Sequence, residues 1–243
     1  IFNNCKFEVK ELERANTLIK LITENHISKY NLGDTQCVIN SNGKEVALVV
    51  GQVEKDASIR LGTGDIDTNL KLLQVVRDKF PEAHIIYKPH PDVIAGIRKR
   101  GVSEALEKNY YDQIVESGDA IALFDSVDTI HTMTSLVGFE GLLRKKKVYT
   151  YGMPFYSGWG LTEDLIKINR RKRVLSLSEL VYGALIQYPT YISSESKMYT
   201  SPERIIKELI EQKKNGIQRM PLWRKFIRDL IKLWTHYGFR SNA

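Results

Sequence analysis

Apolar positions along the chain recur with two periods, and the two periods alternate. From Glu8 to Glu24 the residues Leu12, Ala15, Leu18, Ile19 and Ile22 fall three or four apart, the spacing of an amphipathic helix. A polar loop, Asn31 to Lys44, separates this helix from the apolar run Val46 to Val50, which reads as a strand. Next come a Gly-rich loop, a helix around Asn69 to Lys79, a strand at Ala83 to Tyr87 and a long irregular stretch through Tyr111. A strand at Val127 to Met133, a helix from about Leu136 to Leu143 and a strand at Val148 to Tyr151 complete the pattern. Strands alternating with helices predict an α/β fold of parallel βαβ units, a Rossmann-like layer sandwich. Ser178 to Gln187 reads as a further helix with Ser178 as its N-cap, and Ser201-Pro202-Glu203 starts another, with Pro202 where a helix tolerates it.

The pattern also places the chemically capable residues. Gln52 and Asp56 follow the strand at Val46 to Val50. Lys88-Pro89-His90-Pro91-Asp92 follows the strand ending at Tyr87, and Thr134-Ser135 follows the strand ending at Met133. In an open parallel sheet such positions share one edge, and ligands bind in the crevice outside the carboxyl ends of the strands.

Composition narrows the classes. The chain has 243 residues, 42% of them hydrophobic and 27% charged, enough for a real core and for one large domain or a domain and a half. Its net charge of +7 is concentrated at Arg144-Lys145-Lys146-Lys147, at Arg170-Arg171-Lys172-Arg173 and between Lys213 and Arg240, a surface suited to phosphates or anionic lipid. Nucleic acid is the weakest option, because the basic runs lack interleaved aromatics outside the tail. Cys5 and Cys37 are too few for a disulfide framework and lack metal-type spacing, so a reducing cytoplasm is expected. No apolar run approaches the ~20 residues of a membrane span. The chain starts at Ile1 without an initiator methionine or signal peptide and reads as a piece of a longer protein.

Each candidate has a plain structural rival. Asp56 is either a solvated loop acid or a reactive carboxylate. His90, between Pro89 and Pro91, is held on a stiff segment beside Lys88, which suits anion binding; the rival is a cis-Pro turn. Thr134-Ser135 is a ready N-cap, and the same geometry points N–H groups at a phosphate. His26, His84, His131 and His236 show no paired metal spacing, so packing or surface roles are expected and no metal is. Gly62-Thr63-Gly64 lacks both the dinucleotide fingerprint and the Walker lysine. Gly152-Met153-Pro154-Phe155-Tyr156-Ser157-Gly158-Trp159-Gly160 is either a packed Ω-type loop or a wall against a sugar or base. In the tail, Leu222, Trp223, Phe226, Ile227, Leu230, Ile231, Leu233, Trp234 and Tyr237 crowd one broad face, and Arg219, Arg224, Lys225, Arg228 and Lys232 take the rest. Such a helix either lies in the plane of an anionic membrane, anchored by Trp223, Phe226 and Trp234, or folds back on another domain.

Four segments in order carry a resemblance: Gly51-Gln52-Val53-Glu54-Lys55-Asp56-Ala57-Ser58, Tyr87-Lys88-Pro89-His90-Pro91-Asp92-Val93, Thr132-Met133-Thr134-Ser135-Leu136-Val137-Gly138-Phe139-Glu140 and Met153-Pro154-Phe155-Tyr156-Ser157-Gly158-Trp159-Gly160-Leu161-Thr162. Together they resemble the KpsC-type capsule polysaccharide proteins, retaining β-Kdo glycosyltransferases, over about Lys29 to Thr190 and on through Gln187-Tyr188-Pro189-Thr190-Tyr191. The resemblance implies the nucleotide-binding half of a GT-B enzyme that uses CMP-β-Kdo, with no cofactor or metal. It divides the chain into a helical lead-in and loop (1–44) from a truncated N-terminal part, a CMP-sugar-binding domain (45–200) and basic amphipathic C-terminal helices (201–243).

The family's Q-x-x-x-D motif falls on Gln52 and Asp56 and its H-P motif on His90-Pro91, which implies Asp56 as nucleophile. His90 and Lys88 would then face the departing CMP phosphate, and Thr134 and Ser135 would hold it. Glu140 is the candidate for the ribose hydroxyls. The general acid/base is expected from an absent N-terminal domain, so this chain alone should be inactive. The acceptor implied is a glycolipid, Kdo on a lysophosphatidylglycerol-type lipid, at the cytoplasmic face of the bacterial inner membrane. The wording of the first motif suggests the module that makes a β-(2→7) linkage rather than a 2→4 linkage. Two other classes remain open: a GT-B sugar-nucleotide epimerase, which would recognise a uridine nucleotide, and a non-catalytic nucleotide- or membrane-binding scaffold, which would tolerate Asp56→Asn.

Overall fold

A computed structural model describes residues 1–28, 39–94, 104–118 and 120–214. The apolar run Val46–Val50 forms strand β1, buried along its whole length, and burial on both faces demands helices on both sides of the sheet. On one edge β1 pairs with β2 (His84–Lys88), Val46 opposite His84 and Val50 opposite Lys88; on the other it pairs with β4 (Thr129–Thr132), Ala47 opposite Thr129. Strand β2 continues to β3 (Gln113–Ile114), while β4 continues to β5 (Lys147–Thr150) and then β6 (Glu163–Asp164). All these pairings are parallel and the order is β3-β2-β1-β4-β5-β6. The chain thus begins at the centre, runs outward to β3 and returns to the far side of β1. That reversal opens a crevice between the carboxyl ends of β1 and β4, the place where doubly wound sheets of this order bind ligands.

Alternation along β1 divides the core. Val46, Leu48 and Val50 share one cluster with Ala15, Leu18 and Ile22 of α1 (Val9–Glu24) and with Phe139, Leu142 and Leu143 of α6 (Leu136–Leu143). Ala47 and Val49 share the other with Ile59 of α2 (Ala57–Gly62) and with Leu72, Leu73 and Val76 of α3 (Asn69–Lys79). Helix α6 can lie close on the sheet because position 141 is glycine: a Cβ there would come within 2.4 Å of Ile130 Cδ1.

Helices α3 and α6 and strand β1 occupy the spans expected of them, and the ends of β2, β4 and β5 shift by one or two residues. The long irregular stretch contains α4 (Pro91–Ile94) and α5 (Glu104–Glu107), and β3 follows it, each too short to show a period. No cis peptide bond occurs among the described residues, so the segment around Pro89 and Pro91 is not a cis-Pro turn. The helix expected from Ser178 begins earlier. Ser176 caps α7 (Leu177–Val181), accepting from Glu179 N while the Glu179 carboxylate accepts from Ser176 N, and Ser178 instead donates its hydroxyl to Asn16 Oδ1. A π-helical turn, Tyr182–Gln187, extends α7. A small antiparallel hairpin of β7 (Tyr191–Ile192) and β8 (Tyr199–Thr200) leads to α8 (Pro202–Lys214), with Pro202 at its first position. Glu208 of α8 pins the hairpin, its carboxylate accepting from Ser193 Oγ at 2.6 Å and from Ser194 N at 3.0 Å. No helix among the described residues is long and apolar enough to cross a membrane. Trp223, Phe226 and Trp234, with the rest of the basic tail helix, lie outside the described residues.

Candidate functional site

Gln52, two residues beyond β1, sits at the reversal point and is 7% exposed. Its backbone N–H donates to Asn69 Oδ1 at 2.8 Å, and Asn69 Nδ2 donates back to the Gln52 carbonyl at 3.0 Å, which ties the loop to the start of α3. The side chain crosses the crevice to the other strand. Its Oε1 accepts from Thr134 N at 2.8 Å and from Thr132 Oγ1 at 3.3 Å, and its Nε2 donates to Thr134 Oγ1 at 2.8 Å. One amide therefore joins the loops that follow β1 and β4.

Asp56 lies further along the first loop, exposed, as the N-cap of α2, with Oδ1 accepting from Ser58 N at 2.9 Å. The rival reading as a turn-forming acid thus describes one real role of this carboxylate, and a capping bond also orients it. The loop after β2 runs alongside. Gly51 N donates to the Lys88 carbonyl at 2.8 Å, and a Cβ on Gly51 would sit 3.1 Å from Pro89 Cα, so only a residue without a side chain lets the two loops approach this closely.

His90 caps α4. Its carbonyl accepts from Val93 N and Ile94 N, and its ring Nδ1 accepts from Asp92 N at 3.1 Å. An accepting Nδ1 puts the proton of the neutral imidazole on Nε2, so the ring is a hydrogen-bond donor at its outer nitrogen. Pro91 starts α4 with its ring where no intrahelical N–H is needed. Lys88 is buried, 5% exposed, and its ammonium donates to the carbonyls of Val115 (3.4 Å) and Ser117 (3.2 Å), holding the segment after β3.

Ser135 caps α6, its Oγ accepting from Val137 N at 3.2 Å, while Thr132 Oγ1 accepts from Ser135 N at 3.1 Å. Beneath this turn lies fully buried Tyr156, whose hydroxyl donates to the Ser135 carbonyl. Burial pushes the Tyr156 phenol far up, and the charges of Asp164 and Glu140 add to the shift, so it remains a donor at any ordinary pH. Glu140 is itself buried, one turn along α6 from Ser135.

The aromatic loop 152–160 is packed. Trp159 is buried and donates Nε1–H to the Phe155 carbonyl at 2.9 Å, and Arg171 Nη1 donates to the Pro154 carbonyl at 2.6 Å. Asp164 fixes the loop by accepting from Thr150 Oγ1 and Thr162 Oγ1, each at 2.6 Å, and from Gly158 N at 2.7 Å. Phe155, 40% exposed and against Phe139, is the aromatic member that meets solvent. A wall against a ligand is therefore confined to Phe155.

The structure thus brings Gln52, Thr134 and Ser135 into one bonded cluster and sets Asp56 and His90 on the two adjoining loops. Sequence reading passed over Asn69, Thr132, Tyr156 and Asp164, which hold these loops. Thr132 and Tyr156 stand inside the segments that carry the resemblance, without a role of their own there, and Asn69 and Asp164 carried no local signal. Gly62, a weak motif on paper, lies where the loops close: its carbonyl accepts from Met153 N at 2.6 Å. Among the described residues no group of three or more His, Cys, Asp or Glu side chains could hold a metal ion.

Comparison with known proteins agrees over most of the chain. The family model for capsule polysaccharide biosynthesis protein matches residues 3–193. The capsule polysaccharide modification protein LipA of Neisseria meningitidis serogroup B is 49% identical over 224 residues, 90% of this chain and 32% of LipA. Two solved structures of Thermosulfurimonas dismutans KpsC are similar. One, named a beta Kdo 2,7 transferase, is 39% identical with a TM-score of 0.72, over 86% of this chain and 63% of that one. The other, named a beta Kdo 2,4 transferase, is 32% identical with a TM-score of 0.75, over 84% and 64%. The chain thus spans about one third of LipA and under two thirds of each KpsC chain.

Proposed function

The chain belongs to the capsule polysaccharide biosynthesis protein family, and on that premise we propose that it is the nucleotide-binding half of a retaining β-Kdo glycosyltransferase of GT-B architecture. The donor is CMP-β-Kdo and the acceptor a growing Kdo chain on a glycolipid of the lysophosphatidylglycerol type. The observation that carries this reading is the convergence of the Gln52–Asp56 loop and the His90–Pro91 loop on adjacent strands at the reversal point of the sheet.

In the first step a carboxylate oxygen of Asp56 attacks the anomeric carbon of Kdo. The bond from that carbon to the phosphate oxygen breaks, and CMP leaves with the electron pair. His90, donating through Nε2–H, faces the charge that grows on the phosphate, where a fixed donor lowers the barrier most. Thr134, at the β4 end of the crevice, meets the same phosphate, and Glu140 the ribose hydroxyls. In the second step the acceptor hydroxyl attacks the same carbon, gives its proton to a base from a domain beyond this chain, and displaces Asp56. Two inversions give net retention. Lys88, bonded to the carbonyls of Val115 and Ser117, contributes by fixing the floor of the site and by its positive charge.

The higher identity to the 2,7 transferase supports a β-(2→7) linkage, while the two TM-scores do not separate the alternatives. The enzyme works at the cytoplasmic face of the inner membrane, where the basic tail with Trp223, Phe226 and Trp234 meets anionic lipid. Intact-protein mass spectrometry of the full-length protein with CMP-β-Kdo tests the reading. A gain of one Kdo mass in the wild type and none in Asp56→Asn is expected. Undiminished transfer by Asp56→Asn would sink the assignment.

A further inference from the structure

We infer that Gln52 is a positioning residue: by donating to the Thr134 hydroxyl it orders the protons there so that Thr134 turns its own proton to a phosphate oxygen of the bound nucleotide. This rests on the reading of the site as one for a nucleotide donor.

The direction of every hydrogen bond in the cluster follows from one atom. A backbone N–H can only donate, so the Gln52 side-chain atom 2.8 Å from Thr134 N must be the carbonyl oxygen and the amide cannot be flipped. With Oε1 fixed there, the Thr132 hydroxyl, which already accepts from Ser135 N, sends its own proton to Oε1. The amide nitrogen is then the atom 2.8 Å from Thr134 Oγ1, and it must be the donor of that pair. Thr134 Oγ1 accepts from Gln52, so its own proton points elsewhere, and it meets no acceptor among the described residues.

Position completes the argument. The Thr134 methyl carbon packs against the glycines on the other side, 2.9 Å from where a Cβ on Gly152 would sit and 3.0 Å from one on Gly62. That places the hydroxyl on the opposite side, toward Gln52 in the loop after β1. Gln52 itself is buried, with both ends of its amide committed to Thr132 and Thr134. Its effect on a ligand therefore passes through Thr134 rather than through direct contact. Ser135 differs in its donor: its oxygen accepts from a backbone group, Val137 N, which no side-chain substitution removes, whereas Thr134 accepts from the Gln52 side chain.

The test uses the full-length protein and two probes, CMP and cytidine, whose affinity ratio isolates the phosphate. Titration calorimetry on Thr134→Val should show that ratio reduced about tenfold, the worth of one hydrogen bond to a charged group, whereas Thr134→Ser should retain it. Gln52→Met, neutral and similar in size, should reduce the ratio severalfold in the wild-type background and leave it unchanged in the Thr134→Val background. An equal loss in both backgrounds would mean that Gln52 touches the phosphate itself, and the inference would be wrong. So would a ratio indifferent to Gln52→Met or to Thr134→Val. A wild type that binds CMP no better than cytidine would overturn the donor reading as well. Thermal melting screens the variants for loss of fold, and the Val/Ser pair at Thr134 keeps the test decisive if Gln52→Met does not fold.

Discussion

His131 offers a test of the core that needs no ligand. It is completely buried in β4, with Nε2 3.0 Å from Thr129 Oγ1 and Nδ1 3.0 Å from the Tyr151 hydroxyl. Its ring stacks on Tyr149 at 4.7 Å and meets Phe80 edge-on at 4.9 Å. Burial, aided by the charges of Lys79 and Lys147, lowers its pKa from 6.5 to about 3. The unfolded chain therefore takes up a proton near pH 6.5 that the folded chain refuses until about pH 3. Protons favour unfolding throughout that window, so the stability present above pH 6.5 is lost as pH falls toward 3. The slope approaches about 1.4 kcal/mol per unit below pH 6.5, and the loss is about 2.7 kcal/mol between pH 7.5 and 4.5 from this group alone. Glu203, held to about 2 chiefly by its bond from Arg14, begins to cost stability as pH nears its ordinary 4.5, at the foot of the assayed range, and does so equally in a His131 variant. Urea unfolding at half-unit intervals from pH 7.5 to 4.5, for wild type and His131→Gln, measures the difference. The variant should start less stable and lose about 2.7 kcal/mol less on acidification. Parallel curves would show that His131 titrates normally and that the core around it admits water.

Two further perturbations address the turn that carries Thr134. Tyr156→Phe removes one buried hydroxyl and leaves the Ser135 carbonyl its bond from Gly138 N, which should cost about 0.5–1.5 kcal/mol in urea unfolding; a change under about 0.3 kcal/mol would mean that water replaces the bond. Gly152→Ala puts a Cβ 2.6 Å from the Gly62 carbonyl oxygen and 2.8 Å from the Met133 carbonyl oxygen, backbone atoms with nowhere to go. A lowered melting temperature, with about 1–3 kcal/mol lost, is expected, and an unchanged one would mean that the loops stand further apart than these distances.

The sheet was legible because its strands are either fully buried or flanked by periodic helices. Val46–Val50 is apolar throughout, and α3 and α6 show their apolar faces without interruption. Strands β3 and β6 were not legible, since two residues cannot display an alternation and each is held mainly by its neighbour's backbone. Ser178 was mistaken for the cap of α7 because two serines stand within reach of that helix start. What decides for Ser176 is Glu179 three residues on, which closes a reciprocal pair.

At the site, the sequence indicated which residues have useful chemistry but not what that chemistry is already bonded to. Gln52, Lys88 and Ser135 all stand at strand ends, and each spends hydrogen-bonding capacity inside the protein, on Thr134, on the Val115 and Ser117 carbonyls and on Val137 N. Those partners lie 82 residues from Gln52 and 27 or more from Lys88, separations at which no local pattern carries a signal. The division of labour is physical. A flexible amide or ammonium in a crevice would cost entropy each time it ordered on a ligand, whereas one fixed in advance leaves a few small groups, such as the Thr134 hydroxyl and the His90 ring, already aimed. Under the proposed function the residues that would meet a nucleotide are therefore the shorter ones, and the long side chains beside them would act by holding those groups in place.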